Sequence, residues 1–255
     1  MATLTARALP GLPEVRPGDD LAELIAAALG GRALTGEHLL VIAHTVVSKA
    51  EGALVELSTV IPGARARELA AEQDRDPRQV QVVLDESRQL LRAERGVLIA
   101  RTRHGFVCAN AGVDASNASV ADTVVLLPRD ADASARALRR RLFELGVVSG
   151  ERLPGVLITD TFGRAWRHGQ VDVAIGLAGL APLEDWRGRR DAAGLELQAT
   201  WLAVADAAAG AADLVRAKDS GEPVVVIEGL GRLIGDGDGP GAAALIRPLE
   251  EDLFP

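Results

Sequence analysis

Three short segments of this 255-residue chain place charged, amide or hydroxyl side chains next to small residues: 48–49, 114–117 and 160–164. Each segment follows an apolar stretch typical of a buried strand or hairpin, whose backbone can hold these side chains in place. Carboxylates and hydroxyls are ligands of hard divalent cations, and a lysine ammonium binds phosphate. The pattern is therefore one that a site for a phosphate-bearing substrate and a magnesium or manganese ion would require, beside the ordinary structural roles that the same residues can have.

Asp114 and Asp160 are the candidate metal ligands. Asp160 precedes Thr161, so a hard carboxylate and a hydroxyl stand side by side, and Asp114 would complete an oxygen-rich set. The loop around Asp114 is rich in small residues, which lets a ligand approach the carboxylate closely. A polar turn capped by Asp114 and Asn117 explains the same loop equally well, and the sequence leaves both interpretations open.

Lys49 is the candidate phosphate contact. It comes just after the apolar run 38–47, and a rigid backbone there would let its ammonium reach an anion. Arg164 and Arg167 lie just beyond Asp160 and are of the type that clamps phosphate or carboxylate oxygens in pairs. The alternative for all three cations is an ordinary solvated position on the surface.

Several common nucleotide and hydrolase motifs are missing from the sequence. Neither Lys49 nor Lys218 follows a glycine, so the chain has no P-loop. The glycine-rich segment 229–241 follows a predicted strand without opening a helix, which does not fit a dinucleotide fingerprint. No GxSxG motif occurs, and the four histidines lack the i,i+4 spacing of zinc proteases. The single cysteine, Cys108, excludes an intramolecular disulfide.

The composition is that of a globular protein, with 48% apolar and 25% charged residues. No apolar run approaches the roughly 18 residues of a membrane helix, and the first residues lack the pattern of a signal peptide. The formal net charge of -8 repels polyanions. We therefore expect a cytoplasmic protein that binds neither nucleic acid nor a membrane.

Strand and helix patterns alternate along the chain and must position these segments. One predicted helix begins after Asp20 and ends at Gly30. Four more predicted helices lie at 64–73, 78–94, 134–145 and roughly 197–216. The predicted strands lie at 38–47, 123–128, 155–159, 171–180 and 223–227, with a hairpin at 96–110 that turns near His104-Gly105. A strict strand–helix–strand rhythm is missing, which predicts an α+β or mixed α/β fold and not a doubly wound sheet.

Seven ordered strings resemble one family, the coenzyme F-420 gamma-glutamyl ligases, which attach glutamate to the deazaflavin precursor F-420-0. They are GLPEVRPGDDL at 11–21, VVSKAEG at 46–52, VCANAGVDASN at 107–117, ITDTFGR at 158–164, AIGLAGL at 174–180, DWRGRRDAAGLEL at 185–197 and PVVVIEGL at 223–230. Together they cover most of the chain to about residue 230.

The resemblance implies a two-lobed mixed α/β fold particular to this family, and a homodimer. The ligase domain would span 1–235, followed by a tail rich in glycine and acidic residues at 236–255. We expect the form without the C-terminal nitroreductase-like domain that some members carry. The implied substrates are GTP, L-glutamate and F-420-0, and the implied cofactors are Mg²⁺ or Mn²⁺, two ions per site, and K⁺. The implied intermediate is an acyl phosphate.

The resemblance also implies roles for individual residues. The implied nucleotide contacts are Gly11, Leu12, Pro13, Glu14, His44, Thr45, Lys49, Asn117, Gly229 and Leu230. The implied metal ligands are Asp114, Asp160, Thr161 and Glu228, and the implied catalytic residues are Lys49, Asp114 and Asp160. His44 and Glu228 depart from the family pattern, in which serine or glutamine and arginine are common. Another carboxylate–amine ligase driven by a nucleoside triphosphate and a non-catalytic GTP-binding regulator stay open as alternative functions.

Overall fold

The computed structural model describes residues 3–115 and 122–251. The strands are β1 (Thr5–Ala8), β2 (His38–Ala43), β3 (Leu54–Glu56), β4 (Ser87–Glu94), β5 (Val97–Thr102), β6 (Val107–Ala109), β7 (Thr123–Val125), β8 (Gly155–Arg164), β9 (Arg167–Ala178), β10 (Leu183–Asp185), β11 (Trp201–Ala203) and β12 (Val224–Glu228). The α-helices are α1 (Leu21–Leu29), α2 (His44–Ala50), α3 (Ala64–Gln73), α4 (Pro77–Asp85), α5 (Ala131–Glu144) and α6 (Val204–Asp213).

A five-stranded mixed sheet with the order β1-β12-β2-β8-β9 forms the centre of the molecule. The β2–β8 pair is parallel and the other neighbouring pairs are antiparallel. Successive side chains of a strand point to opposite faces. Leu40 and Ile42 of β2 accordingly pack with α1, α2 and α5, whereas Leu39 and Val41 pack with α6. Because helices cover both faces, the central strands carry buried apolar runs, such as 39–42 of β2 and 155–158 of β8.

A second apolar cluster lies apart from the main sheet. Helices α3 and α4 pack there through residues such as Leu69 and Val83 against Leu98 of the three-stranded sheet β4-β5-β6. A short β3–β7 pair connects to a further small cluster around Leu57 and Val124. The mixed α/β class and the absence of a doubly wound sheet are thus as predicted, whereas the two-lobed arrangement stays a prediction.

Several local predictions are confirmed. Helix α1 begins after Asp20, whose side chain accepts hydrogen bonds from the backbone N–H groups of Ala22 and Glu23, and it ends at Gly30 with φ +59°. Helix α3 has the predicted bounds. The hairpin β5–β6 turns at the predicted place, where Gly105 has φ +101°.

Two long predictions were wrong because tertiary pairing overrides local periodicity. The predicted helix 78–94 ends at Asp85, and its second half is the strand β4, which pairs with β5. The predicted helix 197–216 is helical only in α6, because 201–203 form the strand β11 that pairs with β10. In both segments the neighbouring strand satisfies backbone groups that a helix would otherwise bond internally.

The predicted strand 38–47 is also wrong at its carboxyl end. The strand β2 stops at Ala43, and the helix α2 begins at His44 without an intervening loop. Val46 and Val47 remain buried in the core on one side of this helix. Lys49 therefore lies on a short helix and not directly after a strand.

The segment after residue 235 is tied to the core. The buried Arg139 guanidinium donates to the carbonyl oxygens of Gly235, Asp236 and Gly237, and Ala242 is buried, with its N–H donating to the Asp132 carboxylate of α5. The division at 235 stays a prediction, and 252–255 lie outside the described residues. None of the helices within 3–115 and 122–251 is long and apolar enough to cross a membrane.

Candidate functional site

A cavity of about 390 Å³ lies at the carboxyl end of β2, beside the middle of β8 and the start of β12. Nine of the residues predicted from the sequence line it: Leu12, Pro13, Glu14, His44, Thr45, Lys49, Asp114, Asp160 and Thr161. Crevices at the carboxyl ends of strands are common ligand sites because chain segments diverge there. The fold thus brings together segments that are up to 211 positions apart in the sequence, from Leu12 to Pro223.

His44 and Asp160 form the buried polar contact on one side of the cavity. The Nε2 atom of His44 lies 3.3 Å from Oδ1 of Asp160, and its Nδ1 atom lies 3.4 Å from the hydroxyl of Ser48. The backbone N–H of Thr161 donates to the same Oδ1 atom at 2.7 Å. The direct passage from β2 into α2 puts His44 opposite Asp160, so His44 holds the orientation of this carboxylate.

Lys49 and Glu14 form an ion pair across the cavity wall. The Nζ atom of Lys49 lies 2.7 Å from Oε1 of Glu14. Lys49 is 9% exposed, and a lysine this buried needs a partner for its charge. Glu14 itself is largely exposed, so the pair fixes the Lys49 ammonium at the edge of the cavity.

A second polar cluster contains Asp172 and Arg216, which sequence reasoning missed. Asp172 is 2% exposed and accepts hydrogen bonds from Thr159 at 2.8 Å, Thr161 at 2.7 Å and the Arg216 guanidinium. Burial opposes its ionisation, but the hydrogen bond from Thr161 and the charge of Arg216 hold the pKa of Asp172 below its usual range. The only signal in the sequence was one carboxylate inside the apolar run 171–180, where an unpaired charge is unfavourable.

Lys218 reaches this second cluster from the loop after α6. Its Nζ atom donates to the hydroxyl of Thr161 at 2.5 Å and lies 3.6 Å from Oδ1 of Asp172. The Thr161 hydroxyl therefore donates to Asp172 and accepts from Lys218 at the same time. An ammonium stands where a cation bound by this hydroxyl would have to lie.

The fit to a divalent cation differs between the predicted ligands. Asp114 and Asp160 supply hard carboxylate oxygens to the same cavity, which suits Mg²⁺ or Mn²⁺. Among the described residues, no group of three or more His, Cys, Asp or Glu is arranged to hold a metal. A Mg²⁺ ion commonly takes one or two protein carboxylates and completes its shell with water and phosphate oxygens. The pair Asp114 and Asp160 fits this pattern, whereas Thr161 does not.

A family model described as F420-0:Gamma-glutamyl ligase matches residues 11–229. The chain is 47% identical to the Coenzyme F420:L-glutamate ligase of Methanopyrus kandleri, over 100% of this chain and 98% of that protein. Proteins of the same name from Methanothermobacter thermautotrophicus and Haloarcula marismortui are 45% and 41% identical, over 96% of this chain and 96% and 93% of theirs. The chain belongs to the F420-0:gamma-glutamyl ligase family. The resemblance found in the sequence is thereby confirmed.

Three residues to which the family resemblance gave a role lie away from the cavity. They are Glu228, the last residue of β12, and the next two residues, Gly229 and Leu230. The strand β12 is antiparallel to β2. That end of β12 therefore meets the amino end of β2, where Glu228 lies 3.7 Å from Nε2 of His38. Within one chain, Glu228 does not share a metal site with Asp114 and Asp160.

The remaining candidates have other positions. Gly11 precedes the cavity-lining residue Leu12 but does not line the cavity itself. Asn117 lies outside the described residues. Arg164 and Arg167 are exposed at the tip of the β8–β9 hairpin, and Arg164 donates to the carbonyl oxygen of His168. These two arginines are thus surface residues in this family member, which was the alternative left open by the sequence.

Proposed function

We propose that the protein is the ligase that adds L-glutamate to F-420-0, and then further γ-linked glutamates, with GTP as the energy source. Its membership of a family of amide-forming glutamate ligases makes it an enzyme of that class. The observation that carries the finer proposal is the convergence of nine predicted nucleotide and metal residues on one cavity. At about 390 Å³, this cavity lies within the usual range for small-molecule sites.

The reaction requires activation of a carboxylate, because a carboxylate resists attack by an amine and its oxygen is a poor leaving group. The lactyl carboxylate of F-420-0 attacks the γ-phosphorus of GTP, which forms an acyl phosphate and releases GDP. The α-amine of glutamate, in its neutral form, then attacks the acyl carbon. Phosphate leaves with the former carboxylate oxygen, the amine loses a proton, and an amide remains.

The side chains around the cavity suit the first of these steps. The Lys49 ammonium, fixed by Glu14, would lie against phosphate oxygens on which negative charge accumulates. Asp160, oriented by His44, and Asp114 would hold a divalent ion. When bound, that ion supplies positive charge to the phosphate oxygens. The use of K⁺ and the homodimer are further proposals that rest on the family resemblance alone.

Product formation tests the proposal directly. The protein is incubated with F-420-0, L-glutamate, Mn²⁺ and either GTP or ATP, and the products are identified by mass spectrometry. We expect glutamylated product with GTP and release of phosphate in equal amount, and neither with Asp160→Asn. Tight GTP binding without product would support a regulator, and turnover of another acid would support a different carboxylate–amine ligase.

A further inference from the structure

Asp160 and Thr161 are adjacent in sequence but serve opposite faces of the sheet. Adjacent residues of a strand point to opposite sides, and the contacts follow this rule. Asp160 contacts His44 on the face covered by α2. Thr161 contacts Asp172 and Lys218 on the face covered by α6. A cation held by Asp160 and a cation held by Thr161 would therefore occupy two distinct positions in the cavity.

The Thr161 position already contains a positive charge. Three oxygen atoms surround the Nζ atom of Lys218: the hydroxyl of Thr161 at 2.5 Å, Oδ1 of Asp172 at 3.6 Å and Oδ1 of Asp213 at 3.8 Å. A hydroxyl and two carboxylates are the oxygen ligands that a hard divalent cation would use. The side chain of Lys218 places an ammonium among them instead.

The charges of this cluster balance without a metal ion. Asp172 and Asp213 provide two negative charges, and Lys218 and the buried Arg216 provide two positive ones. A divalent ion at Thr161 would have to displace the Lys218 ammonium and lie close to the Arg216 guanidinium, which contacts Asp172 directly. Like charges that share one carboxylate partner repel each other, and more strongly in a partly buried site than in water.

We infer that the Lys218 ammonium is the permanent cation on the Thr161 side of the cavity, so that the site takes one divalent ion and not two. The inference rests on the proposed function, in which Asp114 and Asp160 hold that one ion. Lys218 and Arg216 line the same cavity as Lys49, so a triphosphate there would meet positive charge both from α2 and from the chain after α6. The ammonium supplies positive charge on the Thr161 side of the cavity, where a second metal ion would otherwise supply it, and this charge does not depend on the metal concentration.

The number of Mn²⁺ ions bound per chain tests this inference. Wild-type protein, Lys218→Gln and the charge-preserving control Lys218→Arg are dialysed against Mn²⁺ with saturating GDP, and bound metal is measured. Glutamine removes the charge and adds an amide oxygen, which is a ligand for Mn²⁺. We expect one ion per chain in the wild type and in Lys218→Arg, and two in Lys218→Gln.

The electron paramagnetic resonance spectrum of the bound Mn²⁺ provides a second readout. One isolated ion per chain should give a sharp six-line spectrum in the wild type, and two neighbouring ions should broaden it in Lys218→Gln. The side chain of Lys218 is 67% exposed, so the variants should keep the wild-type circular dichroism.

The possible outcomes separate the two proposals. Two ions in the wild-type protein, or one ion in Lys218→Gln, would overturn the role of Lys218 and leave the proposed ligase function intact. No bound Mn²⁺ in the wild type would overturn both this inference and the metal site of the proposed function.

Discussion

The two ends of the central sheet use the same strands for different purposes. At the carboxyl end of β2, charged groups such as Lys49 and Asp172 are buried around a cavity of about 390 Å³. At the amino end, a pocket of about 60 Å³ is lined by His38 and Glu228, and the Glu228 side chain is about half exposed. Buried charges are costly unless they are paired, whereas an exposed ion pair contributes little. Buried charged groups therefore distinguish the carboxyl end of β2, which forms the candidate site, from its amino end.

The comparison also explains why a family motif can combine residues from both ends. The string PVVVIEGL begins at Pro223, which lines the cavity, and then follows the strand β12 away from it. At about 3.3 Å per residue, Glu228 lies roughly 17 Å further along this strand. A match to the whole string PVVVIEGL thus indicates that the strand β12 is present, but it does not place every residue of the string in the site.

Replacement of Asp160 should have the largest effect on activity. Asp160→Asn keeps an oxygen that can accept from the Thr161 N–H but loses the charge that would hold a divalent ion. We expect kcat to fall by about 10²- to 10³-fold, as for the loss of a major electrostatic contact to the reacting phosphate. The melting temperature should change little. Near-normal turnover would remove Asp160 from the metal site.

Replacement of Asp172 should have the largest effect on stability. Asp172→Asn leaves the buried Arg216 guanidinium without a counter-charge, which typically costs about 3–5 kcal/mol of unfolding free energy. The folded-state pKa of Asp172 lies below its unfolded value of about 3.9, so the ionised form stabilises the fold above that pH. This contribution is lost as the pH falls through the lower folded-state pKa.

Urea unfolding at pH 7 and pH 3 measures the difference between wild type and Asp172→Asn. We expect the full difference at pH 7 and a smaller one at pH 3. Asp185→Asn is the matched control, because the hydrogen bond from Arg187 lowers the pKa of Asp185 to about 2 at an exposed position. Equal effects of the two substitutions at pH 7 would show that burial of the Asp172 pair does not matter.

Replacement of Lys49 should weaken the use of GTP more than the chemical step. A hydrogen bond to a charged group is worth about 1.5–3 kcal/mol, so Lys49→Met should raise KM for GTP by roughly 10- to 100-fold. Part of the loss would come from Glu14, whose carboxylate would then repel the phosphates. Initial rates at varied GTP concentration test this, and the double variant Lys49→Met/Glu14→Gln should recover part of the loss. An unchanged dependence on GTP would exclude Lys49 as a phosphate contact.

Residues close in sequence were the predictable part of this molecule. The cap at Asp20, the turn at Gly105 and the helix 64–73 depend on neighbouring residues, and the structure has them where the sequence places them. The partners Asp172 and Arg216 are 44 positions apart, and no local motif connects them. Their pairing depends on how α6 packs on β9, which a single sequence does not specify.

Glu228 provides the test with the smallest expected effect. Glu228→Gln should leave kcat, KM for GTP and the number of bound Mn²⁺ ions unchanged, because Glu228 is about half exposed and its 3.7 Å contact with His38 is worth at most about 1 kcal/mol. Gly229→Ala sharpens the test at the next position. A Cβ atom there would lie 2.0 Å from the carbonyl oxygen of Thr3, and φ is +100°, so this variant should lower the melting temperature.

If Glu228→Gln instead lowered Mn²⁺ binding, this end of the sheet would have to contribute to a metal site, as it could through a second copy of the chain. Unchanged binding in Glu228→Gln together with a loss of stability in Gly229→Ala would mean that this end of β12 serves the fold and not the site.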